Sequence, residues 1–547
     1  MSAISRGRPM RVLHRIAAIL VFPALAWVGA ACDRPDPTAP LVPAAALLGG
    51  PSARWVNDDD PNGFPYSPPG TSCNNPGYQT IQGAVDDASA GDRINVCPGT
   101  YIEQVTIPAG TDNLRLRSVK RWEAIIKAPP VMPDLYKAIV RVNGATGVEI
   151  LAFTITGPGG GGCNSLRYGV RVDEGGSADI LGNHIVDIRD APFPPLVSGC
   201  QNGVGVQVGR RFVPTLGDPT PPDVTTGSAK IMGNVIENYQ KNGATVDNNG
   251  SHAEIRHNRI LGVGPTRTIA QNGAQASRGA TAEIQHNFIA ENIYTGPEDA
   301  SSTGILLFQS GEVLTNHNTA TSNDVDIYMY QAGAGSSTTH NKVRASTYDG
   351  IILQAGTAGN EVSHNKSEQN TGPGIGLYDT QNNTVDDNKV EDNEDSGILL
   401  GDEAGTEPAT DNSIGNNKVK KNGSGPGDLT DGIRINLGSA DNTVHDNHLK
   451  DNVTHDCHDA SGETNTWTGN HGETSSPMGL CSKDPDDAAF ETSTVYGWDP
   501  SYPWSTAFDI PTDYDWAAAY ATIDTDALLQ SLPRIPVNGI RRVHPQP

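Results

Sequence analysis

An Asn returns at a near-constant interval through most of this chain, each time in the same short apolar–polar frame. Ile255-Arg256-His257-Asn258-Arg259-Ile260, Ile284-Gln285-His286-Asn287-Phe288-Ile289 and Val444-His445-Asp446-Asn447-His448-Leu449 align without gaps. Val362-Ser363-His364-Asn365 and Val385-Asp386-Asp387-Asn388-Lys389-Val390 are further copies. The anchors are Asn183, Asn234, Asn258, Asn287, Asn318, Asn341, Asn365, Asn388, Asn417, Asn447 and Asn470, separated by 51, 24, 29, 31, 23, 24, 23, 29, 30 and 23 residues. The basic unit is 23 to 24 residues; longer gaps absorb loops, and the gap of 51 is counted as two units. A fixed period with variable insertions is the mark of a solenoid, whose units bury their apolar faces only against neighbours.

A second signature, Gly followed by alternating apolar residues, gives the secondary structure. Gly304-Ile305-Leu306-Leu307, Gly350-Ile351-Ile352-Leu353, Gly397-Ile398-Leu399-Leu400 and Gly432-Ile433-Arg434-Ile435 are examples. Period-two alternation in segments this short and Gly-rich predicts strands rather than helices. Strands of successive units must then stack in parallel, about 4.8 Å apart. The anchor Asn is expected in a tight turn, where it tolerates left-handed backbone and bonds to the Asn of the next unit. A buried amide alone is costly, whereas a continuous ladder satisfies every member.

Before the regular units, Tyr78 to Ala88 has the apolar spacing of a short amphipathic helix, and Gly91 to Tyr101 reads as strand and turn. A helix over the open end would protect the first unit from edge pairing. Composition fits a solenoid better than a compact globule, at 36% hydrophobic and 6% aromatic with 61 Gly. The formal charge of −25 repels phosphate backbones and excludes nucleic acid as a partner. It accommodates neutral or basic ligands and a divalent cation such as calcium; no cofactor is evident.

Arg6, Arg8, Arg11 and Arg15 precede an apolar run from Ile16 to Val28, the layout of an export signal too short to span a bilayer as a mature helix. Val28-Gly29-Ala30-Ala31-Cys32 resembles a bacterial lipobox, in which Cys32 would be the lipidated first residue and the only membrane attachment. Gly29 departs from the usual Leu, so a plain signal-peptidase cut is the alternative, and the protein is expected in the cell envelope or outside the cell. This divides the sequence into an export signal (1–31), a Pro/Ala-rich linker (32–54), the solenoid (55–482) and an aromatic, Pro-rich extension (483–547). The six remaining cysteines fall into three local pairs, Cys73 with Cys97, Cys163 with Cys200 and Cys457 with Cys481. Distant units of a solenoid never meet, so local pairing is expected among the fifteen alternatives, in an oxidising compartment.

Tyr78-Gln79-Thr80-Ile81-Gln82-Gly83-Ala84-Val85 followed by Gly91-Asp92-Arg93-Ile94-Asn95-Val96-Cys97-Pro98-Gly99-Thr100-Tyr101 resembles the opening of pectin-lyase-like proteins. Segments around Asn242 and Asn272, and the end from His455 to Cys481, are similar to secreted right-handed β-helix repeat proteins. The resemblance spans about residues 55 to 482 and implies an all-β, single-stranded right-handed parallel β-helix of about a dozen coils, capped by a helix and followed by an irregular tail. It does not imply one activity, because the fold hosts lyases, hydrolases, esterases, epimerases and non-enzymes. The clustered motifs of polygalacturonase-like hydrolases are not met: Asp386-Asp387 lies in a repeat turn and Asn470-His471-Gly472 in the last coil. The Asp-Pro-His of alginate epimerases is absent, and no catalytic residue is assigned.

Two columns of side chains remain. His257, His286, His317, His340 and His364 each precede an anchor Asn; a line of imidazoles lacks the geometry of a tetrahedral metal site, and they read as polar turn residues. The outward strand positions change from polar (Arg171, Gln207, Thr245, Gln275; Asp173, Gly209, Asp247, Ser277) to apolar near residue 305. From there they run Leu306, Tyr328, Ile352, Gly376 and Phe308, Tyr330, Gln354, Tyr378. Such a patch needs a partner. Either the extension, with Trp498, Trp504 and Trp516, covers it, or a polysaccharide binds at Phe308, Tyr328, Tyr330 and Tyr378. A monomeric, exported polysaccharide-binding protein is the first expectation. A carbohydrate-active lyase, hydrolase or epimerase is the second, favoured if basic residues and carboxylates group on one face. A non-binding surface spacer is the third.

Overall fold

In this computed structural model, residues 52–58, 63, 65–190, 198–214, 220–298 and 300–483 are described. The expected export signal with Cys32, nearly all of the expected linker and the expected C-terminal extension lie outside these residues. Every coil lays down short strands, and like strands of successive coils pair in parallel. Among the described residues three long sheets result. Sheet 1 has fifteen strands, from Ala53–Val56 to Thr466–Thr468. Sheet 2 has thirteen, from Gly99–Ile102 to His448–Lys450, and sheet 3 has fourteen, from Val105–Pro108 to Ser475–Ser476. This is the expected right-handed parallel β-helix, entered slightly early, because Ala53–Val56 already pairs with Arg93–Val96.

The core is a stack of inward aliphatics. Ile255, Ile284, Val362, Val385 and Ile414 line sheet 1, and Val343, Val390 and Val419 line sheet 2, all fully buried. The cap is a single helix, Ile81–Asp86, shorter than the amphipathic stretch suggested. Thr80 caps it by accepting from the Gly83 amide at 3.1 Å, and the Glu103 carboxylate accepts from the Ile81 and Gln82 amides at 2.8 and 2.9 Å. Ile81, Ala84 and Val85 close the first coil.

The Asn ladder runs unbroken from Asn183 to Asn470. Each side-chain amide donates to the amide oxygen of the next anchor at 2.9–3.2 Å, and that oxygen also accepts the backbone N–H of the donor's residue. Two features differ from expectation. The left-handed residue is the one before the Asn: His257, His286, His317, His340, His364, Asp387, Asn416 and Asp446 have φ between 51° and 58°. The anchor keeps ordinary φ, which aims its amide along the axis. The gap of 51 residues is also one coil, since Gly176–Leu181 pairs directly with Gly227–Met232 and Asn183 bonds Asn234. The surplus includes an antiparallel hairpin, Arg210–Phe212 with Asp223–Thr225.

Cys73–Cys97 and Cys163–Cys200 are bonded. The expected Cys457–Cys481 bridge is not: both are thiols, Cys457 buried in the last coil beside Cys481. The Cys481 sulfur is turned toward the Thr474 carbonyl, 3.4 Å away.

Candidate functional site on the outward face of sheet 3

Sheet 3 carries the outward columns, and its register confirms their order. Arg141, Arg171, Gln207, Thr245 and Gln275 stand in one file, continued by Leu306, Tyr328, Ile352, Gly376, Leu399, Arg434 and His458. The face has a charged start, an apolar middle and a mixed end.

At the start, basic and acidic groups do gather. Arg171 pairs with Asp173 at 2.6 Å and with Asp223 of the hairpin at 2.7 Å, and Arg141 pairs with Asp173 at 2.9 Å. The Tyr136 ring lies 4.1 and 4.3 Å from the two guanidinium carbons. Arg171 and Asp173 have no exposed surface, and each guanidinium is matched to carboxylates. This group packs the hairpin onto the sheet.

In the middle, Leu306, Val325, Tyr328 and Ile352 form a buried apolar layer outside the solenoid core, with Phe308, Tyr330, Tyr348 and Tyr378 partly exposed around it. The four aromatic residues singled out from sequence therefore divide. Tyr328 is fully buried and its hydroxyl bonds to Gln354, whereas Phe308, Tyr330 and Tyr378 reach the surface. The Phe308 and Tyr330 rings stack at 5.4 Å, and Tyr328 meets Tyr330 edge-on at 6.1 Å. Gly376 is small because the Tyr378 ring and the Asp349 carboxylate lie over it, and a β-carbon there would strike both.

Carboxylates that sequence reading missed border this strip. Tyr378 donates to Asp349 at 2.8 Å, and the Gln354 amide donates to Glu407 at 3.0 and 3.1 Å. Burial pushes the Asp349 carboxyl up to about 7, with Asp395 adding repulsion. Burial, then Glu394 and Glu403, push Asp395 to about 7 as well. Asp349 and Asp395 sit in turns rather than strands, outside the alternation that reveals the aromatic file. Their only sequence signal is position just before the Gly-apolar repeats.

The His column stacks as the repeat requires, at 4.8–4.9 Å between ring centroids from His257 to His364. Burial, then His286 and Arg256, lower His257 to about 3, and burial also lowers His317 and His340. The lowered values keep His257, His317 and His340 neutral at neutral pH. Two clusters among the described residues have metal-ligand chemistry: Cys163, Asp190 and Cys200, whose cysteines are bonded to each other, and Asp431, His455 and His458.

Residues 298–449, which contain the whole apolar strip, match the family described as right handed beta helix region. Among solved structures, the protein is similar to a periplasmic alginate epimerase, with 13% identity over 66% of its own length and 77% of that epimerase and a TM-score of 0.40. It is similar to the A-module of a mannuronan C-5 epimerase from Azotobacter vinelandii, at 13% identity over 72% and 94%, TM-score 0.39. A PL6 alginate lyase in complex with a trisaccharide aligns at 14% identity over 77% and 89%, TM-score 0.41. No curated protein sequence matches this one.

Proposed function

We propose that this right-handed parallel β-helix protein, exported as its N-terminal segment implies, binds a linear polysaccharide along the outward face of sheet 3. The observation that carries the reading is the apolar strip of Phe308, Tyr330 and Tyr378 bordered by Asp349, Asp395 and Glu407. A sugar polymer has apolar C–H faces and a rim of hydroxyls, and sites for such ligands pair apolar surface with a few placed acceptors. Successive coils repeat the strip along the axis, which suits a polymer rather than a single sugar. The charge of −25 favours neutral glycans over polyanionic ones.

A panel of neutral and uronate glycans, titrated into the purified protein by calorimetry, tests this. Tyr330→Ala and Tyr378→Ala should each weaken binding by on the order of 1–2 kcal/mol, about 5- to 30-fold. A second reading is favoured by one observation: two neighbouring carboxyls held near 7 beside a tyrosine hydroxyl are suited to proton transfer. Release of reducing or unsaturated ends from any glycan would establish that enzymatic reading, and Asp349→Asn should then abolish it. Binding to none would leave a structural spacer.

A further inference from the structure

At the C-terminal end of the same face, two consecutive coils bring Asp431, His455 and His458 together. The register that sets Arg434 beside His458 also sets Asp431 beside His455, one coil apart. The His455 Nδ1 lies 3.0 Å from Asp431 Oδ1, and the His458 Nδ1 lies 3.0 Å from Asp431 Oδ2. The ligand atoms of all three residues fall within 4.8 Å of one another. The two imidazoles meet edge-on with centroids 4.8 Å apart, so both Nδ1 atoms converge on the carboxylate rather than stacking past it. Asp431 is fully buried while both histidines are partly exposed, which leaves the cluster open on its solvent side.

The simplest account is a hydrogen-bonded knot in which Asp431 fastens the turn of the next coil, since its Oδ1 also accepts the His455 backbone N–H at 3.1 Å. That account leaves a conflict at His458. Its Nδ1 faces an acceptor, Asp431, and a donor, the Arg434 Nη1 at 3.2 Å. A proton on Nδ1 suits the carboxylate and opposes the guanidinium; without one the reverse holds. A cation placed between nitrogen and carboxylate satisfies both ligand atoms together.

We propose that Asp431, His455 and His458 form a binding site for a divalent transition ion of the zinc class, with solvent completing the coordination. Two imidazole nitrogens and one carboxylate select zinc, cobalt or nickel over calcium and magnesium, which require oxygen ligands throughout. Three protein ligands with an open position form an accessible site rather than a closed structural one. Arg434 limits its strength: the Nη1 sits 2.9 Å from Asp431 Oδ2, and its positive charge opposes an incoming cation. The equivalent position one coil earlier is Leu399, so the fold accepts an apolar residue there. The site stands independently of the polysaccharide reading.

The test titrates zinc, then cobalt, into the full-length protein after dialysis against chelator, with calorimetry for zinc and visible absorption for cobalt. The expected result is about one equivalent bound, with a cobalt d–d band, and at least tenfold weaker binding in His455→Ala and in His458→Ala. Both histidines are partly exposed, and unchanged circular dichroism will show that these variants fold. Arg434→Leu should bind several-fold more tightly, an effect that a mere hydrogen-bonded knot does not predict. Absence of stoichiometric uptake overturns the proposal. So does uptake that survives in the His455→Ala/His458→Ala double variant but is lost in His286→Asn/His317→Asn, which would place the metal on the stacked column.

Discussion

At each short turn between sheet 1 and sheet 2, two neighbouring residues divide the work: one takes the left-handed backbone and the next supplies the ladder amide. Asn365→Ala removes the acceptor of both the backbone N–H and the amide N–H of Asn341, and frees the Thr338 carbonyl and the Asn388 oxygen of one donor each. Leaving buried groups unpaired costs roughly 2–3 kcal/mol, to be read as a lowered urea midpoint. The residue before the anchor carries a pH signature. His257 protonates only near 3 in the fold but near 6.5 when unfolded, so its neutral form supports the fold above 6.5. That support drains away as pH falls from 6.5 through 3. His257→Asn keeps the left-handed turn, as Asn416 does in another coil, and should flatten the acid limb of a Tm–pH curve over that window. The sequence revealed the ladder but not which residue bends. Asn, Asp and His all adopt positive φ, and only the demand that the amide lie along the axis assigns the bend to its predecessor.

Among the strands, outward files of sheet 2 are tied by charge. Glu391 accepts from Lys389 at 3.0 Å on its own strand and from Lys366 at 3.1 Å on the preceding coil, both in the neighbouring file, and from Lys420 at 3.0 Å, the next member of its own file. Burial works to raise its carboxyl, but the three ammonium groups outweigh that and hold it at about 2. A lowered folded value gives stability that is present above the ordinary 4.5 and lost as pH falls through 2. Glu391→Gln should therefore destabilise the protein at pH 7 by about 1–3 kcal/mol, with the gap to wild type closing toward pH 2 in thermal melts. Alternation in the strands of sheet 3 told which residues face out, including Tyr328, Tyr330 and Tyr378. It could not tell what lies over them, and so placed Tyr328 at a surface it does not reach. The charged start of sheet 3 was illegible for a similar reason: Asp223 arrives from a hairpin 52 residues after Arg171, and the spacing alone read as an extra coil.

For the molecule as a whole, the two ends are treated differently. The first coil is sealed by a helix and the Cys73–Cys97 bond, whereas the last holds two thiols in contact. Mild oxidation of the full-length protein should link Cys457 to Cys481, seen by peptide mass mapping, and raise the melting temperature. Cys457→Ser and Cys481→Ser should each abolish that gain.

The ladder also gives the solenoid an electrical direction. From Asn183 to Asn447 every ladder amide donates one N–H to the next anchor, toward higher residue numbers, and the other to a carbonyl of the preceding coil, while from Asn234 to Asn470 each ladder amide oxygen points back toward lower ones. Two shorter files, Asn370 to Asn452 and Asn383 to Asn465, run in the same sense. Strand amides alternate and largely cancel, but these Asn dipoles add, and each polarises the next. The solenoid is thus a weak permanent dipole with its positive pole at the last coils, on whose flank Asp431 lies buried.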